Sequence, residues 1–423
     1  PDAGSLPPNL SPQAQRHKTL EALAQVLLHS SASSPALVVI EDLHWMDPST
    51  LDLLGLVIQQ LPSHPVLLLL TARPSFESPW AGVDHVRTIP LSNLPTGQTE
   101  DLIRGVTGGR SLPPAVVSLL VEKTDGIPLY IEEMTRMVLE AGMLKVVGDR
   151  YELADALPKL TIPATLHDSL MARLDRMEPS AKKIAQIGAC IGREFSLGLS
   201  SAVLPGQEVA LRGGLDRLVE AQLVFAPGNL GSAHYSFKHA LIQDAAYESL
   251  LRRTRQEYHE RIAQALEREL PDLIERQPER LAQHYTKAAR PEKAIPYWLV
   301  AGRQAVATSA NAEAVGHLKE GLRLVDSLPE GVERSRQELE LLSTLGTALS
   351  ALQGYASAEV EQTYARAHVL CELIGRTPQQ FWVLWGLWAF HLVRGDHHES
   401  VAFGERMMEL ARAEGDLSWE PEA

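Results

Sequence analysis

The feature that most constrains the fold is an unbroken apolar run at residues 36–40, which ends in two acids, Glu41 and Asp42. Five apolar residues without alternation predict a strand covered on both faces, as strands in parallel sheets are. A second such run spans residues 65–71, and between the two runs Asp47 and Pro48 predict the N-cap and first residue of a helix. Strand, helix and strand at this spacing predict a βαβ unit, which requires a parallel sheet.

The chain after residue 91 has the periodicity of helices rather than strands. Apolar residues at helical spacing predict helices at 11–29, before the first strand, and then at 96–106, 113–124, 129–141, 163–177, 179–190 and 207–221. A short hairpin is expected next, pairing 223–225 with 235–237 through a turn near 227–229. Helices followed by such a wing are typical of a winged-helix module. From 239 onward, amphipathic helices with short breaks predict paired-helix repeats.

The charge balance argues against a nucleic-acid-binding protein. The chain of 423 residues carries 39 Lys and Arg against 53 Asp and Glu, a formal net charge of −14. Within 161–271, the segment most open to a DNA-binding interpretation, 13 Lys and Arg face 13 Asp and Glu. Because binding to phosphates needs clustered positive charge, we do not expect this region to bind DNA.

Two further counts bear on location. Cys190 and Cys371 are the only cysteines, so neither a disulfide framework nor a zinc site can be built, and a reducing, cytoplasmic setting is expected. The longest apolar run, 381–393, is shorter than the roughly 20 residues that a bilayer span needs. It therefore predicts a buried helix, and no membrane segment is expected.

The acids after the first strand are the strongest candidates for chemistry. Open α/β sheets bind ligands at the carboxyl ends of their strands. One carboxylate there can hold Mg²⁺ through water, and the other can activate a water beside a γ-phosphate. Thr71 and Arg73 follow the second strand and can face the same phosphates, with Arg73 donating bidentate hydrogen bonds. The alternative is a strand end with solvated acids and a surface arginine.

Several separated motifs in one order resemble the STAND branch of AAA-like ATPases. Within that branch, they resemble bacterial proteins that carry a class III adenylate/guanylate cyclase domain before the ATPase and tetratricopeptide-like (TPR-like) repeats after it. The motifs are EDLHWMDPST at 41–50, TARP at 71–74, DGIPLYIEE at 125–133, IPATL at 162–166 and YSFKHALIQDAAY at 235–247.

The resemblance implies ATP and Mg²⁺ as cofactors and assigns roles to the matching residues. Glu41 takes the Walker B position for Mg²⁺, Asp42 is the candidate water-activating acid, and Arg73 resembles the sensor arginine that follows the next strand. Gly126 and Pro128 match the Gly-x-Pro motif, whose proline lies near the adenine in relatives.

Two further positions bear on how this resemblance is interpreted. Ile127 replaces the Asn that is more usual inside the Gly-x-Pro motif, with a small expected effect because the glycine and proline shape the backbone. His44 and Trp45 are expected to pack the exit turn of the first strand rather than to act in catalysis.

One element of the family pattern does not occur. The phosphate loop G-x-x-x-x-G-K-[ST] is missing, and the sequence holds no Gly-Lys pair. Gly108 and Gly109, followed by Arg110 and Ser111, do not replace it because they lack the upstream glycine and do not follow a strand. We therefore expect a fragment without the Walker A region, unable to hydrolyse ATP by itself.

Together these patterns predict an α/β region, part of a P-loop parallel sheet, followed by mostly α structure. The expected domains are 1–92 (C-terminal half of the ATPase core), 93–160 (helical lid), 161–272 (winged-helix-like module) and 273–423 (TPR-like repeats). In the repeats, Gly302, Gly346 and Gly386 are expected to let neighbouring helices approach closely. The aromatic stripe at 381–390 is expected to be core.

The predicted function is regulatory. The region would bind ATP, contact a protein partner through its repeats, and control an attached cyclase or other effector domain. Two alternatives stay open: the ATPase and repeat region of a LuxR-type transcriptional regulator, or a repeat scaffold without enzymatic activity. A cyclase domain before residue 1 or a helix-turn-helix after residue 423 would distinguish the first two.

Overall fold

The structure is a computed structural model that describes residues 11–29, 34–140, 144–153, 165–226, 234–375 and 377–414. It is mostly helical with small sheets. The chain divides into two units, the first formed by Pro1–Arg87 with Leu270–Ala423 and the second by Thr88–Glu269. The finer division into four domains stays a prediction.

The first unit begins with the predicted βαβ arrangement. Its elements are α1 (Pro12–His29), β1 (Ala36–Ile40), α2 (Pro48–Gln60) and β2 (Val66–Leu70). Both predicted caps are present. The amide of Ala14 donates to Ser11 Oγ at 3.3 Å, and that of Thr50 donates to Asp47 Oδ1 at 2.8 Å, with Pro48 opening α2. These bonds satisfy amides that the first turn of a helix leaves unpaired.

The two strands pair in parallel, in register from Ala36 opposite Val66 to Ile40 opposite Leu70. One face of this sheet packs on α2, where Leu54 and Ile58 lie among the buried residues. The other face is open, and its apolar side chains are half to two-thirds exposed: Leu37 62%, Val39 50%, Leu67 66% and Leu69 49%. The prediction of cover on both faces is therefore wrong for the described residues, because only one face has a helical layer.

The second unit starts with three helices and a hairpin. These are α3 (Thr96–Val106), α4 (Pro114–Thr124), α5 (Pro128–Glu140), β3 (Leu144–Val147) and β4 (Arg150–Leu153). The helices agree with the predicted ranges to within a residue or two and share a core that includes Ile103, Leu120 and Ile131. The antiparallel hairpin was not predicted, although Gly148 at its turn, with a φ of +60°, is a recognised hairpin signal.

The rest of the second unit surrounds a small three-stranded sheet. Its elements are α6 (Leu166–Arg176), α7 (Pro179–Ile191), β5 (Glu194–Ser196), α8 (Leu197–Val203), α9 (Glu208–Glu220), β6 (Val224–Phe225), β7 (His234–Phe237), α10 (Ala240–Glu248) and α11 (Arg252–Glu269). Strand β7 lies between β5 and β6 and pairs antiparallel with both. The predicted β6–β7 hairpin is confirmed, whereas β5 was missed. The turn near 227–229 and residues 162–164 lie outside the described residues.

The first unit ends in a series of stacked helices. They are α12 (Pro271–Arg276), α13 (Pro278–Lys287), α14 (Pro291–Ala307), α15 (Asn311–Val325), α16 (Val332–Gln353), α17 (Ala358–Ile374), α18 (Gln380–Arg394) and α19 (His397–Glu414). Each helix from α13 onward packs against the next, and α16 also contacts α14 and α18. This pattern is that of paired-helix repeats stacked side by side.

The glycines predicted to allow close helix approach do so. A Cβ atom on Gly302 would lie 2.6 Å from the Leu318 side chain of α15, and one on Gly346 would lie 2.4 Å from the Tyr364 ring of α17. A Cβ atom on Gly386 of α18 would lie 2.5 Å from the same ring. Tyr364 therefore lies between two glycines contributed by different helices.

The aromatic stripe of α18 is mostly core, as predicted. Phe381 and Phe390 are buried, whereas Trp382 is 52% exposed. Among the helices that the structure describes, none is long and apolar enough to cross a membrane.

A polar contact joins α2 to the stacked helices within the first unit. The amide of Ser49, in the first turn of α2, donates to Glu313 Oε1 of α15 at 2.8 Å. Arg16 of α1 donates to Ser49 Oγ at 2.9 Å and to Asp52 at 2.8 Å. A carboxylate at the first turn of a helix satisfies an otherwise unpaired amide and complements the helix dipole.

Candidate functional site

The predicted site residues that follow β1 and β2 meet at one edge of the parallel sheet. Because Ile40 pairs with Leu70, the residues just beyond each strand are neighbours, and the Thr71 amide donates to the Ile40 carbonyl at 3.0 Å. The Asp42 amide donates to Thr71 Oγ1 at 3.0 Å. The structure thus brings Glu41, Asp42 and Thr71 together, as expected from the carboxyl ends of adjacent parallel strands.

Asp42 has an unusual backbone conformation at this edge. Its φ of 61° and ψ of 47° lie in the left-handed region, which aspartate tolerates better than most residues but at a cost. The conformation turns the chain directly into a 3-10 turn, Leu43–Trp45, where Leu43 is buried and its amide donates to the Thr71 carbonyl at 2.9 Å. The surrounding bonds therefore hold Asp42 in a shape that it would not adopt unaided.

The two carboxylates differ in their surroundings. Glu41 is exposed, whereas Asp42 is partly buried beside Thr71. These two side chains and the Thr71 hydroxyl offer oxygen donors only, which is the type that Mg²⁺ prefers. Across the described residues, no group of three or more His, Cys, Asp or Glu side chains could enclose a metal ion. Oxygen donors of this kind suit a Mg²⁺ ion that keeps most of its ligands as water or phosphate oxygens, and Mg²⁺ binding by Glu41 and Asp42 stays a prediction.

Arg73 lies at the same edge, in contact with an aromatic ring. Its guanidinium carbon is 5.5 Å from the centroid of the Trp45 ring, within the range of a cation–π interaction. The expectation that Trp45 packs the exit turn is wrong, since Trp45 is 54% exposed. His44 is partly buried, and its ring centroid lies 4.7 Å from that of Trp45. Sequence reasoning missed the Trp45–Arg73 pair because the two residues are 28 positions apart.

Gly126 and Pro128 belong to the second unit, where they connect α4 to α5. Gly126 has a φ of +69°, and its carbonyl accepts the Leu94 amide at 2.8 Å. A Cβ atom on Gly126 would lie 2.2 Å from the Leu94 carbonyl oxygen, so both its conformation and the close approach require glycine. Pro128 is the first residue of α5, a position that suits proline. This geometry explains both residues without a ligand, and their role in cofactor binding stays a prediction.

A buried ion pair in the second unit was not predicted. Glu133 of α5 is 2% exposed and accepts a hydrogen bond from Arg173 of α6 at 2.5 Å. Arg173 also donates to the Ala221 carbonyl at the end of α9. Burial lowers the pKa of nearby His239, the residue before α10, which favours its neutral form. Sequence offers no signal for such a pair beyond an arginine and a glutamate on amphipathic helices.

Comparison with known proteins gives distant similarities. No family model matches the chain. It is 29% identical over 387 residues to an uncharacterized protein of Rhizobium meliloti (strain 1021), an alignment that covers 90% of this chain and 37% of that protein. The chain thus spans little more than a third of the length of this relative.

Two solved structures are also similar. One is a Signal Transduction ATPase with Numerous Domains (STAND) protein with a tetratricopeptide repeat sensor from Pyrococcus horikoshii. It has 13% identity and a TM-score of 0.41, and the match covers 96% of this chain and 66% of that one. The other is BtubC (BKLC) from P. vanneervenii, with 14% identity and a TM-score of 0.21 over 60% of this chain and 93% of that one.

Proposed function

We propose that this chain is the regulatory ATP-binding and protein-interaction region of a multidomain signal-transduction ATPase of the STAND class. In this proposal it controls an attached effector, for which a nucleotide cyclase is the candidate. The observation that carries the proposal is the meeting of Glu41, Asp42 and Thr71 at the carboxyl edge of a parallel sheet, joined by the hydrogen bond between the Asp42 amide and the Thr71 hydroxyl.

Each residue at this edge has a distinct role in the proposal. The exposed Glu41 holds Mg²⁺ through water, and bound Mg²⁺ supplies charge neutralisation at the phosphates. Asp42, fixed by its backbone bonds, orients the water that attacks the γ-phosphate. Arg73 donates hydrogen bonds to phosphate oxygens as negative charge develops on them.

The open face and the small size of the β1–β2 sheet support a covering layer and further strands in the proposed nucleotide-binding domain. Parallel sheets are covered on both faces, and isolated two-stranded sheets are only marginally stable. The exposed apolar side chains of this face are therefore suited to pack against an additional segment of polypeptide: Leu37, Val39, Leu67 and Leu69. In the proposal that additional segment includes the phosphate loop, so this chain alone does not hydrolyse ATP.

The stacked helices supply the proposed protein-binding surface. A cleft of about 330 Å³ is lined by Arg303 of α14, Glu340 of α16 and Trp382 of α18, together with their neighbours. Arg303 and Glu340 form an ion pair at 2.9 Å, and Trp382 exposes half of its surface beside them. An exposed tryptophan next to fixed charges is the kind of surface that protein interfaces use.

Calorimetry with Mg-ATP tests the proposal in two proteins, this chain and the natural polypeptide that extends upstream through a phosphate loop. We expect binding only by the longer protein. In that protein, Asp42→Asn should retain binding and slow ATP turnover by at least tenfold, as loss of a positioned acid–base group does. Glu41→Gln should weaken Mg²⁺ binding, so that turnover needs a higher Mg²⁺ concentration.

Asp84→Asn is the matched control, because Asp84 is an exposed carboxylate in the loop after β2 and outside the edge. It should change neither binding nor turnover. Equal binding by both proteins would mean that an unrecognised loop of this chain holds phosphate. Absence of binding by both would refute the nucleotide proposal and leave the repeat scaffold as the better account.

A further inference from the structure

The Arg73 guanidinium and the Trp45 indole form a pair at the open edge of the sheet. Arg73 follows β2 by three residues, and its guanidinium carbon lies over the Trp45 ring at 5.5 Å from the centroid. Over the part of the chain that the structure describes, no carboxylate forms an ion pair with Arg73. Its positive charge is therefore held by an aromatic face and is not neutralised.

Trp45 is in turn fixed by the backbone that carries Asp42. The Trp45 amide donates to the Asp42 carbonyl at 2.9 Å, closing the 3-10 turn. Leu43, in the same turn, is buried and bonded to the Thr71 carbonyl, so the turn is fastened to the ends of both strands. The His44 ring, tilted at 48° to the indole, lies against it. The indole is exposed, yet the turn that bears it is tightly constrained.

We infer that Trp45 is a positioning residue for Arg73, an inference that rests on the proposed ATP-binding function. An exposed arginine samples many side-chain conformations, and holding it near one of them reduces the entropy lost when it binds phosphate. A cation–π contact restrains the arginine side chain and leaves its positive charge available for phosphate, whereas a carboxylate partner would neutralise that charge. The same short turn thus places the Asp42 carboxylate and, through Trp45, the Arg73 guanidinium at one edge.

The first test uses the natural polypeptide that includes the phosphate loop, with Trp45→Leu, Trp45→Phe, Arg73→Ala and the double variant Trp45→Leu/Arg73→Ala. The measured quantities are the Kd for Mg-ATP and the kcat and KM of hydrolysis. We expect Trp45→Leu to reduce kcat/KM about twofold to fivefold, which is the range of an exposed cation–π contact expressed as a rate ratio. Trp45→Phe keeps an aromatic face and should retain most of the activity.

The double variant separates positioning from packing. If Trp45 acts through Arg73, the double variant should be no worse than Arg73→Ala alone. The inference would be overturned if the loss of kcat/KM in the double variant equalled the product of the two single-variant losses. Full activity of Trp45→Leu, with Arg73→Ala impaired, would also overturn it.

The pairing can also be tested in this chain without nucleotide, by tryptophan fluorescence. Removing the guanidinium with Arg73→Ala should shift or brighten the emission of the wild-type chain and should have no effect in a Trp45→Phe background. An unchanged emission would overturn the pairing even if the longer protein binds ATP. Absence of ATP binding by the longer protein refutes instead the proposed function, so the two failures are distinguishable.

Discussion

Replacing Gly346 by alanine should destabilise the stacked helices, although the same replacement stabilises most helix interiors. Gly346 lies inside α16, and a Cβ atom there would stand 2.4 Å from Cζ and 2.6 Å from Cε1 of Tyr364. Carbon atoms in contact normally lie 3.5 to 4.0 Å apart. The Tyr364 ring is 4% exposed and meets Gly386 on another helix, so it has no free space into which to retreat.

The magnitude follows from two opposing effects. Alanine is preferred over glycine in a helix interior by about 1 kcal/mol. Overpacking a well-filled core costs roughly 1 to 3 kcal/mol, and the trapped ring places this site at the upper end. We therefore expect Gly346→Ala to lower the free energy of unfolding by about 2 kcal/mol.

Gly316→Ala is the matched control. Gly316 lies inside α15, and a Cβ atom there would have no neighbour within 4 Å, so only the helix preference applies. We expect this variant to be more stable than the parent by about 1 kcal/mol. The two alanine variants should therefore differ by about 3 kcal/mol.

The assay is urea unfolding followed by circular dichroism, with hydrogen exchange of peptides from α17 to identify the transition of the first unit. Equal stability of Gly346→Ala and the parent, or a stability change of the same sign in both alanine variants, would contradict a clash between the new methyl group and the Tyr364 ring. A second check is Tyr364→Leu, which should cost less stability in the Gly346→Ala background than in the parent because it removes the ring that the new methyl group would strike.

Two further predictions concern pH and the α2–α15 contact. Burial, with Lys287 and Arg280 nearby, lowers the pKa of His284 to about 4, so the folded chain keeps this residue neutral while the unfolded chain protonates it near 6.5. Stability should fall as the pH drops from 6.5 to 4, by up to about 1.4 kcal/mol per pH unit, and His284→Gln should flatten this dependence in urea titrations at several pH values. Glu313→Ala should speed hydrogen exchange of the Ser49 amide and Glu313→Gln should not, because only the first removes the acceptor; equal exchange in both variants would contradict the observed bond.

The sequence determined the local elements of this chain well. Ser11 and Asp47 carry side-chain oxygens that can cap only a helix starting just after them, and both helices begin there. The apolar runs at 36–40 and 65–71 form parallel strands because the helix between them carries the chain back to the end of the sheet at which the first strand began. Close contacts could be predicted at Gly302 and Gly346 because a glycine on the packed face of an amphipathic helix lets the neighbouring helix approach.

Tertiary structure decided what lies beside these elements, since periodicity reports which residues share a face and not which partner covers it. It left one face of the β1–β2 sheet open, where the sequence predicts cover, and it left the Trp45 side chain half exposed against Arg73, where the sequence predicts that it packs the exit turn. The pairs Glu133–Arg173 and Ser49–Glu313 join residues 40 and 264 positions apart. Such pairs form only when distant helices pack, because the sequence of one helix does not indicate which atoms of another helix it will contact.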